Sequence, residues 1–159
     1  MKAIRATEEW ARAGVYYVRT EAMVLGFHVK LEGEFADDTS ESEYILVVDD
    51  EGMPLSTNRI HLLPEKGFAK IERVATISTA RGIGAGRLGI EAAEEWIQEL
   101  GYHKIVITSR EEAEGFYKKL GYTTRDDMNP DTLEPKTPND PVKEKKDSRF
   151  ICVYMEKEL

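Results

Sequence analysis

The run Arg81-Gly82-Ile83-Gly84-Ala85-Gly86 constrains this chain more than any other stretch. It joins an apolar, β-rich segment, Ile71 to Ile77, to an amphipathic one, Arg87 to Leu100. A strand, a glycine loop and a helix in that order make a seat for an anion. The first-turn amides of a helix have no intrahelical acceptor and lie at the positive end of its dipole. Glycines let that backbone approach a phosphate with no Cβ in between. The chain is therefore expected to grip a pyrophosphate or a similar group.

A length of 159 residues suits a single domain, 1–159. Hydrophobic residues at 41% and charged ones at 33% place it among ordinary globular proteins. No apolar stretch reaches the ~20 residues that span a bilayer. The opening Met1-Lys2-Ala3-Ile4-Arg5 lacks a secretion signal's apolar core, so a cytoplasmic location is expected. Cys152 is the sole cysteine, which excludes an internal disulfide and a cysteine-rich metal site; its apolar surroundings predict a buried, inert thiol. The net charge of −8 speaks against nucleic acid as partner, because duplex binding depends on Lys and Arg. It does not exclude a small phosphorylated ligand at a helix N-terminus.

Along the chain, Lys2 to Ala6 reads as a strand and residues 8 to 25 as a helix capped by Thr7, with a break allowed at Gly14. Residues 32 to 43 carry Glu32, Glu34, Asp37, Asp38, Glu41 and Glu43. They read as a solvated loop or, alternatively, as an acidic rim that attracts a cationic substrate. Tyr44–Val48, Pro54–Leu63 and Phe68–Ile77 are three strands with short turns, an antiparallel meander. Leu88, Ala92, Ala93, Trp96, Ile97 and Leu100 mark the apolar face of the following helix. His103 to Thr108 is a buried strand, Glu111 to Leu120 a shorter helix, and Phe150 to Met155 a final strand. Between them, a charged stretch of about 125–148 with four prolines is predicted to be a mobile loop that buries no core. The resulting order predicts an α+β fold with a mixed, mostly antiparallel sheet flanked by helices.

Gly84-Ala85-Gly86-Arg87-Leu88-Gly89 satisfies the dinucleotide pattern G-x-G-x-x-G. That reading needs successive parallel βαβ units, and a meander precedes this loop. A nucleoside-triphosphate P-loop fails because no Gly-Lys-Ser/Thr follows. A plain strand-to-helix turn needs fewer glycines than are present.

Arg81-Gly82-Ile83-Gly84-Ala85-Gly86 resembles the acetyl-CoA motif R/Q-x-x-G-x-G/A of the GNAT superfamily of N-acyltransferases. Phe116-Tyr117-Lys118-Lys119-Leu120-Gly121-Tyr122 resembles that family's F-Y-x-x-x-G-F/Y signature, one helix and one strand later. The match covers about 70 to 124, and the element order is most similar to the small bacterial ElaA/YjcF-like branch. Arg110 stands where many members have asparagine, and Thr76 where valine is usual. The resemblance implies a GNAT-like fold and acetyl-CoA as the acetyl donor. It implies that Val74, Ala75 and Thr76 offer backbone groups to the pantetheine arm, with the Thr76 amide as oxyanion donor. The pyrophosphate would rest on Arg81, Gly82, Ile83, Gly84, Ala85, Gly86 and Arg87.

Transfer to an amine needs a proton acceptor, a donor for the oxyanion and an acid for the thiolate. The resemblance points to Tyr117 as the acid and Glu72 as the base; His61, with an ordinary pKa near ~6.5, is a second candidate base. Strand alternation puts Glu72, Val74 and Thr76 on one face unless a bulge intervenes. The expected activity is direct N-acetylation of a small-molecule or peptide amine, with no metal. A homodimer is implied by the resemblance alone. The alternative is a non-catalytic acyl-CoA sensor of the same fold.

Overall fold

The computed structural model describes residues 1–141 and 150–159; the remainder of the 125–148 loop expectation lies outside the described residues. The chain divides into two compact units, Met1–Tyr102 and His103–Leu159.

The first unit is an antiparallel meander with a helix on each face. Its strands are β1 (Lys2–Arg5), β2 (Glu43–Val48), β3 (Pro54–Leu63) and β4 (Phe68–Thr76), paired in the order β1-β2-β3-β4. Turns at Gly52 and Gly67, with φ of 82° and 77°, use the left-handed region that glycine occupies without strain. Helix α1 (Glu9–Arg19) packs Ala11, Val15 and Val18 against Tyr44, Leu46, Val48 and Ala75. Its N-cap is Glu8 rather than Thr7, and no side chain caps it. Gly14 does not interrupt it; a Cβ there would lie 2.8 Å from Leu46, so the glycine permits close approach to the sheet. A wider π-helical stretch, Thr20–Leu25, extends α1, and a single turn, α2 (Leu31–Glu34), follows.

Helix α3 (Ala85–Glu99) covers the opposite face. Its Gly89 comes so close that a Cβ would stand 3.2 Å from Asn58 Nδ2 and 3.3 Å from Val47. Its buried stripe is Ala85, Gly89, Ile90, Ala93 and Ile97. Leu100, expected on that face, is exposed. The stripe is turned toward Gly89 because the missing Cβ there lets the helix approach the sheet.

The acidic segment 32–43 is solvated only in part: Glu32, Asp37, Glu41 and Glu43 are exposed, as a solvated loop would have them. The Glu34 and Asp38 side chains are instead withdrawn from solvent and paired to arginines that the apolar stripes had concealed. Arg19, 0% exposed, gives Nε to Glu34 and a two-pronged contact of 2.7 and 2.8 Å to Asp38. Its guanidinium also lies 4.5 Å from the Phe35 ring centre. Arg59 reaches Asp37, Asp38 and Glu72, and Arg73 reaches Glu34 and Asp37. Burial alone would raise the Asp38 carboxyl. Hydrogen bonds from Arg19 and Tyr44, and the Arg19 and Arg59 charges, outweigh it and hold the carboxyl down at about 2.

In the second unit β5 (Lys104–Arg110) pairs antiparallel with β7 (Cys152–Glu158), which also pairs with the two-residue β6 (Thr123–Thr124). A 3-10 turn, Glu111–Ala113, leads into α4 (Glu114–Lys119). The described part of the charged stretch is not coreless: Met128 and Leu133 are buried, and Met128 pairs with Pro135. Thr108 Oγ1 donates to the Pro130 carbonyl at 2.7 Å, pinning the segment to β5. Cys152 is half-buried rather than buried and forms no disulfide. Among the described residues, no helix is long and apolar enough to cross a membrane.

Replacing Arg19 by Met strands two buried carboxylates and is expected to destabilise the protein by about 3–5 kcal/mol in urea unfolding, with Arg19→Lys intermediate. The depressed Asp38 value stabilises the fold fully above its ordinary 3.8 and is lost as pH falls through about 2. Unfolding free energy should therefore drop between these two pH values, and Asp38→Asn should flatten that part of the curve.

Candidate functional site

The glycine loop stands in the first unit between β4 and α3. The chain leaves β4 through a 3-10 turn, Ser78–Ala80, whose first residue is tethered by Glu21: the carboxylate accepts Ser78 N at 3.2 Å and Ser78 Oγ at 2.9 Å. Gly82 and Gly84 then take φ of 77° and 89°, with open space where a Cβ would stand. Gly84 is the N-cap of α3, and the first helical bond runs from Leu88 N to the Gly84 carbonyl. The amides ahead of Leu88 thus have no acceptor within the helix. No side chain caps this end, and its first turn contains no acidic residue. An anion would meet backbone donors, the positive helix end and no competing carboxylate. The site fits a pyrophosphate on that ground. Arg81, Gly82, Ile83, Gly84 and Arg87 are exposed, Gly86 is half-exposed, and Ala85 is buried beneath. Arg87 is engaged with Glu91 at 2.8 Å, one helical turn on.

β4 explains which backbone groups remain available. Thr57 pairs with Ala75 and Ser56 with Thr76, but Arg59 pairs with Glu72, so β4 holds one residue more than β3 across this span. Arg73 and Val74 thus share the place opposite Asn58, with Arg73 at φ 53°. This is a β-bulge. Beyond it, Ile77 N donates to the Leu55 carbonyl, so residues 55 and 77 form a hydrogen-bonded pair. By alternation Ser56/Thr76 is the other kind, and the Thr76 N–H and C=O point away from β3. Ala75 turns to β3, and its carbonyl also accepts Ser56 Oγ at 2.9 Å.

The bulge also breaks the expected parity. Glu72 lies with Arg59 and Ala75 on the face that α1 covers, and Thr76 lies opposite, its Oγ1 2.9 Å from Ser56 Oγ. Glu72 is held between Arg59 Nη2 at 2.6 Å and His61 Nδ1 at 3.0 Å. Asn58, buried opposite the bulge, keeps an Oδ1 with no hydrogen-bond partner.

Tyr117 is in the second unit, on α4. It is buried, while Phe116 beside it, the more apolar of the two rings, is 37% exposed. The α4 turn points Tyr117 inward, with its ring edge-on to Phe116 and Tyr122 at 5.0 and 6.0 Å. Burial pushes its phenol well above the usual value, and the Arg110 charge opposes this weakly. The group is a proton donor, not an anion, at neutral pH.

The residues that sequence reasoning missed are Arg19, Arg59, Arg73 and Asn58. A signal existed for two. Arg19 falls four residues after Val15 in an otherwise apolar helical stripe, and Arg59 occupies an inward position of β3 two residues after Thr57. A cation in such a place requires a buried anion.

The chain matches the Acetyltransferase (GNAT) family over residues 7–122. It is 32% identical to the uncharacterized N-acetyltransferase YjcF of Bacillus subtilis (strain 168) over 122 residues, 77% of this chain and 85% of the relative. A solved structure named as a candidate N-acetyltransferase from Lactobacillus plantarum superposes with a TM-score of 0.80 at 26% identity, covering 99% of this chain and 97% of that one. Escherichia coli ElaA shares the fold at a TM-score of 0.70 and 13% identity, covering 99% of each chain.

Gly84→Ala meets no steric neighbour, so its cost is the left-handed backbone alone. It is expected to lower stability by about 1 kcal/mol in urea unfolding. Arg87→Ala removes only an exposed pair and should leave the urea midpoint nearly unchanged.

Proposed function

The chain belongs to the GNAT acetyltransferase family, and we propose that it moves an acetyl group from acetyl-CoA directly to a primary amine of a small molecule or peptide. The observation that carries this reading is the uncapped N-terminus of α3 behind two left-handed glycines. When bound, acetyl-CoA supplies the acetyl group as a reactive thioester. The amides of Gly82 to Arg87 hold the pyrophosphate. The backbone of Val74 to Thr76 receives the pantetheine arm, and Thr76 N–H, turned away from β3, serves as oxyanion donor. Tyr117, kept protonated, gives its proton to the leaving thiolate.

Within the acidic segment Glu34, Asp37 and Asp38 already serve Arg19, Arg59 and Arg73, whereas Glu32, Glu41 and Glu43 are exposed. Any attraction of a cationic amine to this segment would rest on those three exposed carboxylates.

Calorimetry with CoA should show binding in the micromolar to millimolar range; no heat at millimolar CoA overturns the donor assignment. Thiol release from acetyl-CoA over a panel of amines (polyamine, aminoglycoside, amino acid, N-terminal peptide) should reveal turnover. Tyr117→Phe should lower turnover by about 10- to 100-fold and leave CoA affinity unchanged. Full turnover in that variant removes Tyr117 from the acid role.

A further inference from the structure

The donor site has two parts that must stand in one geometry. Thr76 N–H lies at the end of β4, and the amides from Gly82 onward receive the pyrophosphate. Residues 77–81 join them. Ile77 is fixed to β3 through the Leu55 carbonyl, and Ala80 is buried. Between these two anchors runs the 3-10 turn Ser78–Ala80. Its N-cap, Ile77, has no side-chain acceptor, so the Ser78 amide finds none within the turn. Glu21 supplies one from 57 residues away: Oε2 accepts Ser78 N at 3.2 Å and Oε1 accepts Ser78 Oγ at 2.9 Å.

Glu21 is itself firmly placed. Its carbonyl accepts the Gly26 amide five residues on, the bond of a π-helical turn. Such turns are rare and are frequent at functional sites. Ala22 beside it is buried in the cluster that contains Ala75, and Met23 and Ile77 pack against that cluster. A packed helix end thus presents a carboxylate to an exposed serine. A contact of this kind in water adds little to global stability. What it sets is where the turn stands.

We propose that Glu21 is a positioning residue of the donor site, holding the Ser78 turn so that Thr76 N–H and the glycine loop grip one acetyl-CoA together. This rests on the transferase reading above. Glu21 acts through Ser78 and makes no contact with the donor. A negative charge ahead of the loop, acting by itself, would oppose a pyrophosphate. Position and charge therefore predict opposite signs: loss of the tether weakens CoA binding, whereas loss of a repelling charge tightens it.

Calorimetry with CoA, and thiol release from acetyl-CoA with the fastest amine of the panel, test this on the whole chain. Glu21→Ala should weaken CoA and raise KM for acetyl-CoA by about 10-fold, with KM for the amine and the urea midpoint nearly unchanged. Glu21→Gln keeps one acceptor oxygen of the same reach and should fall between Glu21→Ala and the unaltered chain. Ser78→Ala should weaken CoA less than Glu21→Ala and add nothing when combined with it, because Ser78 Oγ contributes through that carboxylate. If the urea midpoint of Glu21→Ala drops, Glu21→Gln and Ser78→Ala carry the comparison, and both must still bind CoA more weakly than the unaltered chain. Unchanged or tighter CoA binding in these variants, or additive losses in the double variant, overturns the proposal and leaves the transferase reading intact. No CoA binding by the unaltered chain overturns both.

Discussion

The extra residue at Arg73–Val74 changes the direction of every side chain and amide that follows it in β4. Without it, Glu72 and Thr76 would face the same way, and the strand would run into the glycine loop as a regular ladder. With it, Glu72 joins Arg59 and His61 on the α1 face, and Thr76 shows its side chain to Ser56 on the other. The strand keeps its bonds to β3 through Ala75 and Ile77 while Thr76 turns its amide away from β3. One irregularity thus separates the ion pairs on one face from a backbone donor along the edge. Its cost is a left-handed arginine, which the Arg73 pairs with Glu34 and Asp37 help to hold.

Those pairs belong to a wider arrangement in which three arginines and four carboxylates sit where an apolar core would otherwise close. Arg19, Arg59 and Arg73 bind Glu34, Asp37, Asp38 and Glu72 with few lone pairs left over. A buried pair of this kind is weak as a source of stability, since desolvation offsets much of the attraction. It is strong as a device for position. Removing any one partner leaves a charge in a poor solvent, so the segment after α2 is held to β3 and β4 in one register. Glu72 is at the edge of this arrangement, where it meets both the buried Arg59 and the exposed imidazole of His61.

The features legible in the sequence are those decided within a few residues. Strand spans, turn glycines and the left-handed Gly82 and Gly84 follow from local alternation and backbone freedom, and β3 runs over the residues the pattern predicts. What escaped is set by partners distant in the chain. The bulge exists only in the register between β3 and β4, and neither strand announces it alone. The acidic segment looked solvated because its arginines come from 15 to 39 residues away. The face of α3 was misplaced because Leu88 and Leu100 outweigh Gly89 in any apolar count, whereas the sheet selects the small residue that allows approach. Phe116 and Tyr117 exchanged roles for the same reason: polarity ranks phenylalanine as the core residue, but the short turn into α4 decides which ring points inward.

This division also separates donor recognition from the contacts between strands. Holding a pyrophosphate needs backbone amides and a helix end, so the sequence requirement is for residues that stay out of the way, and glycines reveal it directly. Contacts between side chains of different strands are another matter: His61 on β3, Glu72 on β4 and the Arg59 guanidinium meet only through the register. No spacing rule within one segment encodes such a set. Exchanging His61 for another residue would leave the glycine loop, the bulge and the ion cluster untouched. The same scaffold can therefore keep its donor while the exposed end of the cluster changes from one chain to the next.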